Sequence, residues 1–303
     1  MQSKVSMLIG LRHLPSEVRS FCLEFSSYSC GSEAHDRPSL RLHFMNPTTD
    51  KIPLFGMQVD RVDMAQAVDQ LLAWTAEPPT TCRYVVTPNV DHAIMFQEKP
   101  AFREAYASAA LVLADGAPVV WASRLLGHAL PERVAGSDLT LALFDAAKAE
   151  QPLKVYLLGA AEGIGARAAE NIHRRWPNVR VVGTFSPPLG FERDDALNRD
   201  ILARIAEAEP HVLVLGLGAP KQELWIAKHF KNVSAPIALC VGATIDFLAG
   251  HKRRAPVWMQ RSGLEWLHRV STEPKRLLAR YARGAVKFPP LVLRQWWAGS
   301  QPG

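Results

Sequence analysis

KVYLLGAAEGIGARAAENIHRRWPNVRVVGT, residues 154–184, reads as strand, glycine-rich turn, helix and second strand in close succession. The first candidate strand, Lys154–Leu158, is an apolar run without polar alternation. Gly159, Gly163 and Gly165 follow it, then a candidate helix over Gly165–Trp176 and a second candidate strand over Arg180–Thr184. A strand that is apolar on both faces has to be covered on both, as in a parallel sheet wrapped by helices.

The same alternation extends in both directions. Further candidate strands are Arg83–Thr87, Leu111–Ala114, His211–Leu215 and Ile237–Val241. Helical segments fall at Leu139–Glu150, Ala196–Glu207 and Gln222–His229. Near the start of the pattern, Met64, Ala67, Val68, Leu71 and Leu72 share one helical face, with Asp63 as the expected N-cap. The expected fold is α/β: a Rossmann-like parallel sheet with helices on both faces.

Residues 1–50 show no sustained period and are expected to be a poorly patterned N-terminal extension. Residues 51–250 form the expected Rossmann-like domain, and 251–303 a basic, Trp-rich helical appendage punctuated by Pro256, Pro274, Pro289 and Pro290. The net charge of +6 is unevenly placed. From Lys252 onward 11 Lys or Arg face two acids, Glu265 and Glu273, a net +9 that leaves −3 for the rest. Such asymmetry calls for a polyanionic partner at that end.

At 48% hydrophobic residues the 303-residue chain is globular rather than disordered. No apolar run approaches the roughly 18 residues of a membrane span, and the best candidate, Ala105–Ser123, is broken by Asp115. The N-terminus is too weakly apolar for a secretory signal. Cys22, Cys30, Cys82 and Cys240 show neither CxxC nor zinc-like spacing and are expected to be reduced thiols in the cytosol.

Ligands of open parallel sheets bind beyond the carboxyl ends of the strands. Those ends carry Thr87 and Asn89, Asp115 before Gly116, the Gly159–Gly165 turn, Gly218 with Gln222, and Asp246. Each has a plainer alternative. Thr87 and Asn89 could form a turn, Asp115-Gly116 could be a turn pair, and the Gly216–Glu223 stretch a tight connection. The Gly159 loop suits anion binding at a helix N-terminus but is neither GxGxxG nor a P-loop. A dinucleotide-dependent oxidoreductase would need an acid at the end of Arg180–Thr184, where the chain reads Thr184-Phe-Ser-Pro-Pro. There is no DxD motif, so neither a cofactor nor a metal is expected.

These pieces in this order resemble the WecG/TagA/CpsF family, glycosyltransferase family 26. The resemblance rests on TPNVDHA (87–93), LADGAPVVWASRLLG (113–127), ERVAGSDL (132–139) and VYLLGAAEGIGARAAE (155–170). It continues through GLGAPKQELWI (216–226), VGATIDFLAGHKRRAPVW (241–258) and GLEWLHRVSTEPKRLLARY (263–281). It covers about Ile52 to Leu293. It implies inverting, metal-independent transfer of a hexose or N-acetylhexosamine-type sugar from a UDP-sugar to a sugar on undecaprenyl diphosphate, in surface or exopolysaccharide synthesis at the cytoplasmic face of the membrane. It also implies Asp115 as catalytic base and Arg133 as its catalytic companion. Thr87, Asn89 and Gln222 would bind substrate, with Gly159 and Gly218 lining the site and Arg276, Arg280 and Arg283 meeting acceptor or membrane. A homo-oligomer stays open.

An inverting transfer needs one base for the acceptor hydroxyl. Without a metal, Arg133 and helix N-termini have to stabilise the leaving diphosphate. Trp258, Trp266, Trp296 and Trp297 among the tail arginines fit an anionic membrane surface. A nucleic-acid-binding protein is the rival for the basic tail, but the tail bears no recognisable module of that kind and the reading leaves Asp115 unexplained.

Overall fold

The computed structural model describes residues 50–77, 81–256, 258–259 and 263–299, and of Arg276 the backbone alone. All but one residue of the expected N-terminal extension, with Cys22 and Cys30, lies outside them. The described chain opens with an antiparallel hairpin, β1 (Lys51–Leu54) and β2 (Met57–Asp60), turned by Phe55 and Gly56 at φ 54° and 82°.

Six strands then build one parallel sheet: β3 (Arg83–Val86), β4 (Leu111–Val112), β5 (Leu153–Gly159), β6 (Val179–Phe185), β7 (Val212–Gly216) and β8 (Ile237–Cys240). Their order is β4-β3-β8-β7-β5-β6. Successive side chains point to opposite faces, and both faces are buried. Along β5, Val155 and Leu157 enter one core while Tyr156 and Leu158 enter the other. Each such Val or Leu contributes roughly 1.5–3 kcal/mol on burial, so the two-sided apolar run is what holds this strand in the middle of the molecule.

One core is closed by α1 (Met64–Ala76), α5 (Gly136–Asp145), α6 (Ile164–Arg175) and α9 (Thr244–Leu248). The other is closed by the hairpin with α2 (Val90–Glu98), α3 (Pro100–Ala107), α4 (Ala117–Leu125), α7 (Asp195–Ala208) and α8 (Lys221–His229). Asp63 caps α1 as expected, in a reciprocal box with Gln66. Further on lie α10 (Glu265–Thr272) and α11 (Pro274–Gly299). No described helix is long and apolar enough to cross a membrane.

The hairpin is an element that the sequence reading does not include. Two expectations need correcting. The helix expected over Leu139–Glu150 runs Gly136–Asp145 instead, because Lys148 pairs with Gln151 and pulls the Ala-rich stretch out of the helix despite its propensity. The strand expected over Leu111–Ala114 is two residues long. Beyond it the Ala114 carbonyl accepts from Val134 N–H, so this edge is covered by the loop that carries Arg133.

Between β5 and β7 the chain approaches itself closely. A Cβ on Gly159, which sits at φ 118°, would lie 2.6 Å from the carbonyl carbon of Gly216 and 2.7 Å from its oxygen. Neither backbone can yield. Gly159→Ala should therefore cost about 3 kcal/mol, from overpacking and a forced left-handed backbone. Chemical denaturation reads this directly, and stability within ~0.5 kcal/mol of wild type, the range of neutral surface changes, would contradict it.

Candidate functional site

Three connections meet at the carboxyl ends of β3, β4 and β8. Thr87 follows β3, is buried, and donates from Oγ1 to the Cys240 carbonyl at 3.3 Å. A Cβ on Gly136 would lie 2.9 Å from that hydroxyl and 2.8 Å from Val241 Cγ1, so only glycine lets the start of α5 come this close. Asn89 is the N-cap of α2. Its Oδ1 accepts from the N–H groups of Asp91 (3.0 Å) and His92 (3.3 Å), and its own N–H donates to His92 Nδ1. The cap occupies the oxygen of Asn89, which leaves its amide nitrogen for a ligand.

Asp115 follows β4. Its N–H donates to the Pro88 carbonyl at 2.8 Å, and the next residue, Gly116 at φ 108°, caps α4. A Cβ at Gly116 would be 3.8 Å from that of Asn89, which places the Asp115 and Asn89 loops side by side. Arg133 reaches in from the loop before α5. Its Nη1 lies 3.8 Å from Asp115 Oδ1 and 3.3 Å from Glu265 Oε2, and its Nη2 bonds Asp138 Oδ2 at 2.9 Å. Asp138 also accepts from Arg254 at 2.6 Å, and Glu265 from Arg269 at 2.5 Å. Three carboxylates and three guanidinium groups therefore alternate, and Arg254, Glu265 and Arg269 all come from beyond Gly250.

Asp115 differs from the other two acids. At 3.8 Å the Arg133 contact is too long for a hydrogen bond, and no described residue donates to its carboxylate. Its side chain is still 30% exposed. Burial raises its pKa above the ordinary value, and Glu265 and Asp138 add to that while Arg133 and Arg269 oppose it. A reachable carboxylate with increased proton affinity is suited to general-base work.

Gln222, in the first turn of α8, is buried. Its Nε2 donates to Glu223 Oε1 at 2.8 Å, and its Oε1 accepts from Gly242 N–H at 3.2 Å. Thr87, Asn89, Asp115, Arg133 and Gln222 thus share one continuous stretch of the sheet rim. Gly159 and Gly218 lie further along it, where the connection from β5 runs to β6 on one side and that from β7 to β8 on the other. Such a switch point opens a crevice. The α6 N-terminus there follows Gly163 at φ 76°, with no side-chain cap and no acid in its first turn; the Ile164 N–H donates to the Ala161 carbonyl at 3.1 Å, which leaves those of Gly165 and Ala166 for an anion. Four strand spacings, roughly 19 Å, separate the ends of β4 and β5.

The tail arginines are engaged with the body. Arg280 pairs with Asp91 at 3.1 Å, Arg283 with Asp91 and Glu98, and Lys287 with Glu98 at 2.5 Å. The Arg276 side chain lies outside the described residues. Phe288 and Val292 of α11 are buried against the hairpin side, and Gln295 bonds the Phe55 N–H and the Pro53 carbonyl. Among the described residues no group of three His, Cys, Asp or Glu side chains is placed to hold a metal ion. A cavity of about 480 Å³ opens beside Ser137, Asn171, Arg174 and Arg254, on the α5–α6–α9 side.

Asp138, Arg254, Glu265 and Arg269 were not singled out from sequence. They stand on helices and loops rather than after strands, so a search of strand ends passes over them, although each lies inside a quoted motif.

The description "Glycosyl transferase WecG/TagA/CpsF family" matches the chain over residues 52–302. An N-acetylglucosaminyldiphosphoundecaprenol N-acetyl-beta-D-mannosaminyltransferase of Bacillus spizizenii is 31% identical over 220 residues, covering 72% of this chain and 82% of that one. The protein of the same name from Staphylococcus aureus strain MRSA252 is 29% identical over 245 residues, covering 81% and 91%. The match runs from the hairpin through the Asp115–Arg133 rim to the tail helices that close on it, and on that span the chain belongs to the WecG/TagA/CpsF family and is a glycosyltransferase.

Proposed function

We propose that this enzyme transfers a sugar, with inversion and without a metal, from a UDP-sugar to a sugar carried on undecaprenyl diphosphate, with Asp115 as the base. The single observation that carries the assignment is the Asp115 carboxylate: partly exposed, without a hydrogen-bond donor among the described residues, raised in pKa by burial, and beside Arg133. An acceptor hydroxyl attacks the anomeric carbon and its proton passes to Asp115. The bond from that carbon to the diphosphate oxygen breaks, and UDP leaves with the negative charge. Arg133, beside Asp115, is the group suited to that charge. The names of the relatives point to N-acetylmannosamine as the sugar moved and N-acetylglucosaminyl diphosphoundecaprenol as the acceptor.

The basic tail supports work at the cytoplasmic membrane surface. Trp258, Trp296 and Trp297 are exposed, as are Leu278 and Leu293, beside cations that attract anionic lipid at about 1 kcal/mol each. Arg280 and Arg283 also hold α11 to α2, so their charge is shared between docking and lipid.

Incubation with UDP-N-acetylmannosamine and an N-acetylglucosaminyl diphosphate lipid, in EDTA, should release UDP and yield the disaccharide lipid in equal amounts. UDP release that is abolished by EDTA and restored by Mg²⁺ would overturn the metal-free mechanism. No release with any lipid-diphosphate sugar would overturn the acceptor assignment.

A further inference from the structure

Beneath the rim lies an acid that the transfer chemistry does not use. Glu223 is wholly buried, next to Gln222 in the first turn of α8. Its Oε1 accepts from Gln222 Nε2 at 2.8 Å and faces His92 Nε2 at 3.3 Å, while its Oε2 meets no hydrogen-bond donor among the described residues. A buried carboxylate with one idle oxygen is costly, and apolar residues such as Phe102, Trp225 and Ile226 fill the core on this side of the sheet. Packing alone does not call for an acid here.

The bonds on either side supply a reason. His92 Nδ1 accepts from Asn89 N–H, so in this arrangement the ring proton sits on Nε2 and is donated to Glu223. Gln222 can point either end of its amide at Glu223. Only the nitrogen can donate to an acceptor oxygen, and that choice turns Oε1 toward Gly242 N–H. One carboxylate oxygen thus fixes the amide of Gln222, the tautomer of His92 and, through His92, the cap formed by Asn89. It ties together the ends of β3, β7 and β8.

We infer that Glu223 is a positioning residue for sugar transfer, holding Gln222 and Asn89 in the one hydrogen-bonding orientation the donor sugar meets. This rests on the proposed role of Gln222 and Asn89 in sugar binding. The partner chemistry is that of a hexose or N-acetylhexosamine, whose hydroxyl and amide groups distinguish a donor from an acceptor in the site.

The experiment compares Glu223→Met, Glu223→Gln and Gln222→Ala, singly and as Glu223→Met/Gln222→Ala. Two readouts are followed: KM for the UDP-sugar, and hydrogen exchange at the Gly242 amide, which touches Gln222 and not Glu223. Glu223→Met keeps the shape and removes the acceptor. It should raise the donor KM on the order of tenfold or more, with a smaller change in kcat, and speed exchange at Gly242. Glu223→Gln keeps an acceptor oxygen and should recover most of that loss. The double variant should lose less than the two single losses taken together, because coupled residues do not add. Should Glu223→Met fail to fold, Glu223→Asp, which withdraws the oxygen but keeps the charge, should shift both readouts in the same direction by a smaller factor. Unchanged Gly242 exchange and unchanged KM in the folded Met or Asp variant would overturn the inference, as would additive losses in the double variant. If wild type released no UDP, the proposed function would fail, whereas Gly242 exchange would still decide the positioning role.

Discussion

Asp115→Asn is expected to lower turnover by about 10²–10⁴-fold, the range for a positioned general base, without loss of fold. The substitution keeps size and polarity but removes the site that accepts the proton of the acceptor hydroxyl. Stability should move the other way, if at all. The folded chain holds the Asp115 proton more tightly than the unfolded chain does. The stability this contributes is present below the ordinary carboxylate pKa and is lost as pH rises through the raised value. At neutral pH the buried charge is therefore a cost, and the amide should be as stable as wild type or more so. Steady-state UDP release and thermal unfolding on the same preparation separate the two effects. Wild-type turnover in Asp115→Asn would remove it as the base.

Arg133→Ala should cost roughly 2–4 kcal/mol of transition-state stabilisation, by comparison with deleted oxyanion donors. One guanidinium spans Asp115, Asp138 and Glu265. Deleting it removes charge beside the departing diphosphate and takes away the strongest influence lowering the Asp115 pKa. The fold should suffer less, since Asp138 keeps Arg254 and Glu265 keeps Arg269. Arg133→Lys should restore little, because an ammonium cannot reproduce the planar fork that reaches several carboxylates at once. A rate within about threefold of wild type for the alanine variant, far short of the loss expected for such a donor, would place Arg133 outside the site.

The sheet was legible because its strands are apolar on both faces. Val155–Leu158 feeds two cores at once, and that pattern has few alternatives in an antiparallel or helical fold. The rim was legible for a related reason: polar residues directly after apolar strands stand where a parallel sheet opens. Thr87, Asn89, Asp115 and Gln222 all sit there. What each does was less legible. The oxygen of Asn89 is committed to capping α2, and both ends of the Gln222 amide to Glu223 and Gly242. The Gln222–Gly242 bond links residues 20 positions apart, and the other two depend on a cap geometry and on the side-chain conformations of neighbouring residues, which composition does not reveal.

The tail hid most. Its charge read as a face toward a polyanion, yet Arg280, Arg283 and Lys287 meet Asp91 and Glu98 on α2. Glu265, read there as one of two acids in a basic segment, turns inward onto Arg133. Net charge counts residues without showing which side of a helix they occupy. The hairpin at 51–60 escaped notice because its two four-residue strands carry little period. Buried Asp60, whose Oδ2 accepts from Val112 N–H, fastens it to the edge strand.

The most direct test of Asp115 as the base is the pH dependence of kcat/KM for wild type and Asp115→Asn measured side by side. In wild type, kcat/KM should fall on the acid side as Asp115 takes up a proton, at a pKa that burial holds above its ordinary 3.8. In Asp115→Asn the residual rate should show no such limb. The same acidic limb in both proteins would mean that another group accepts the proton, and would contradict the assignment of Asp115.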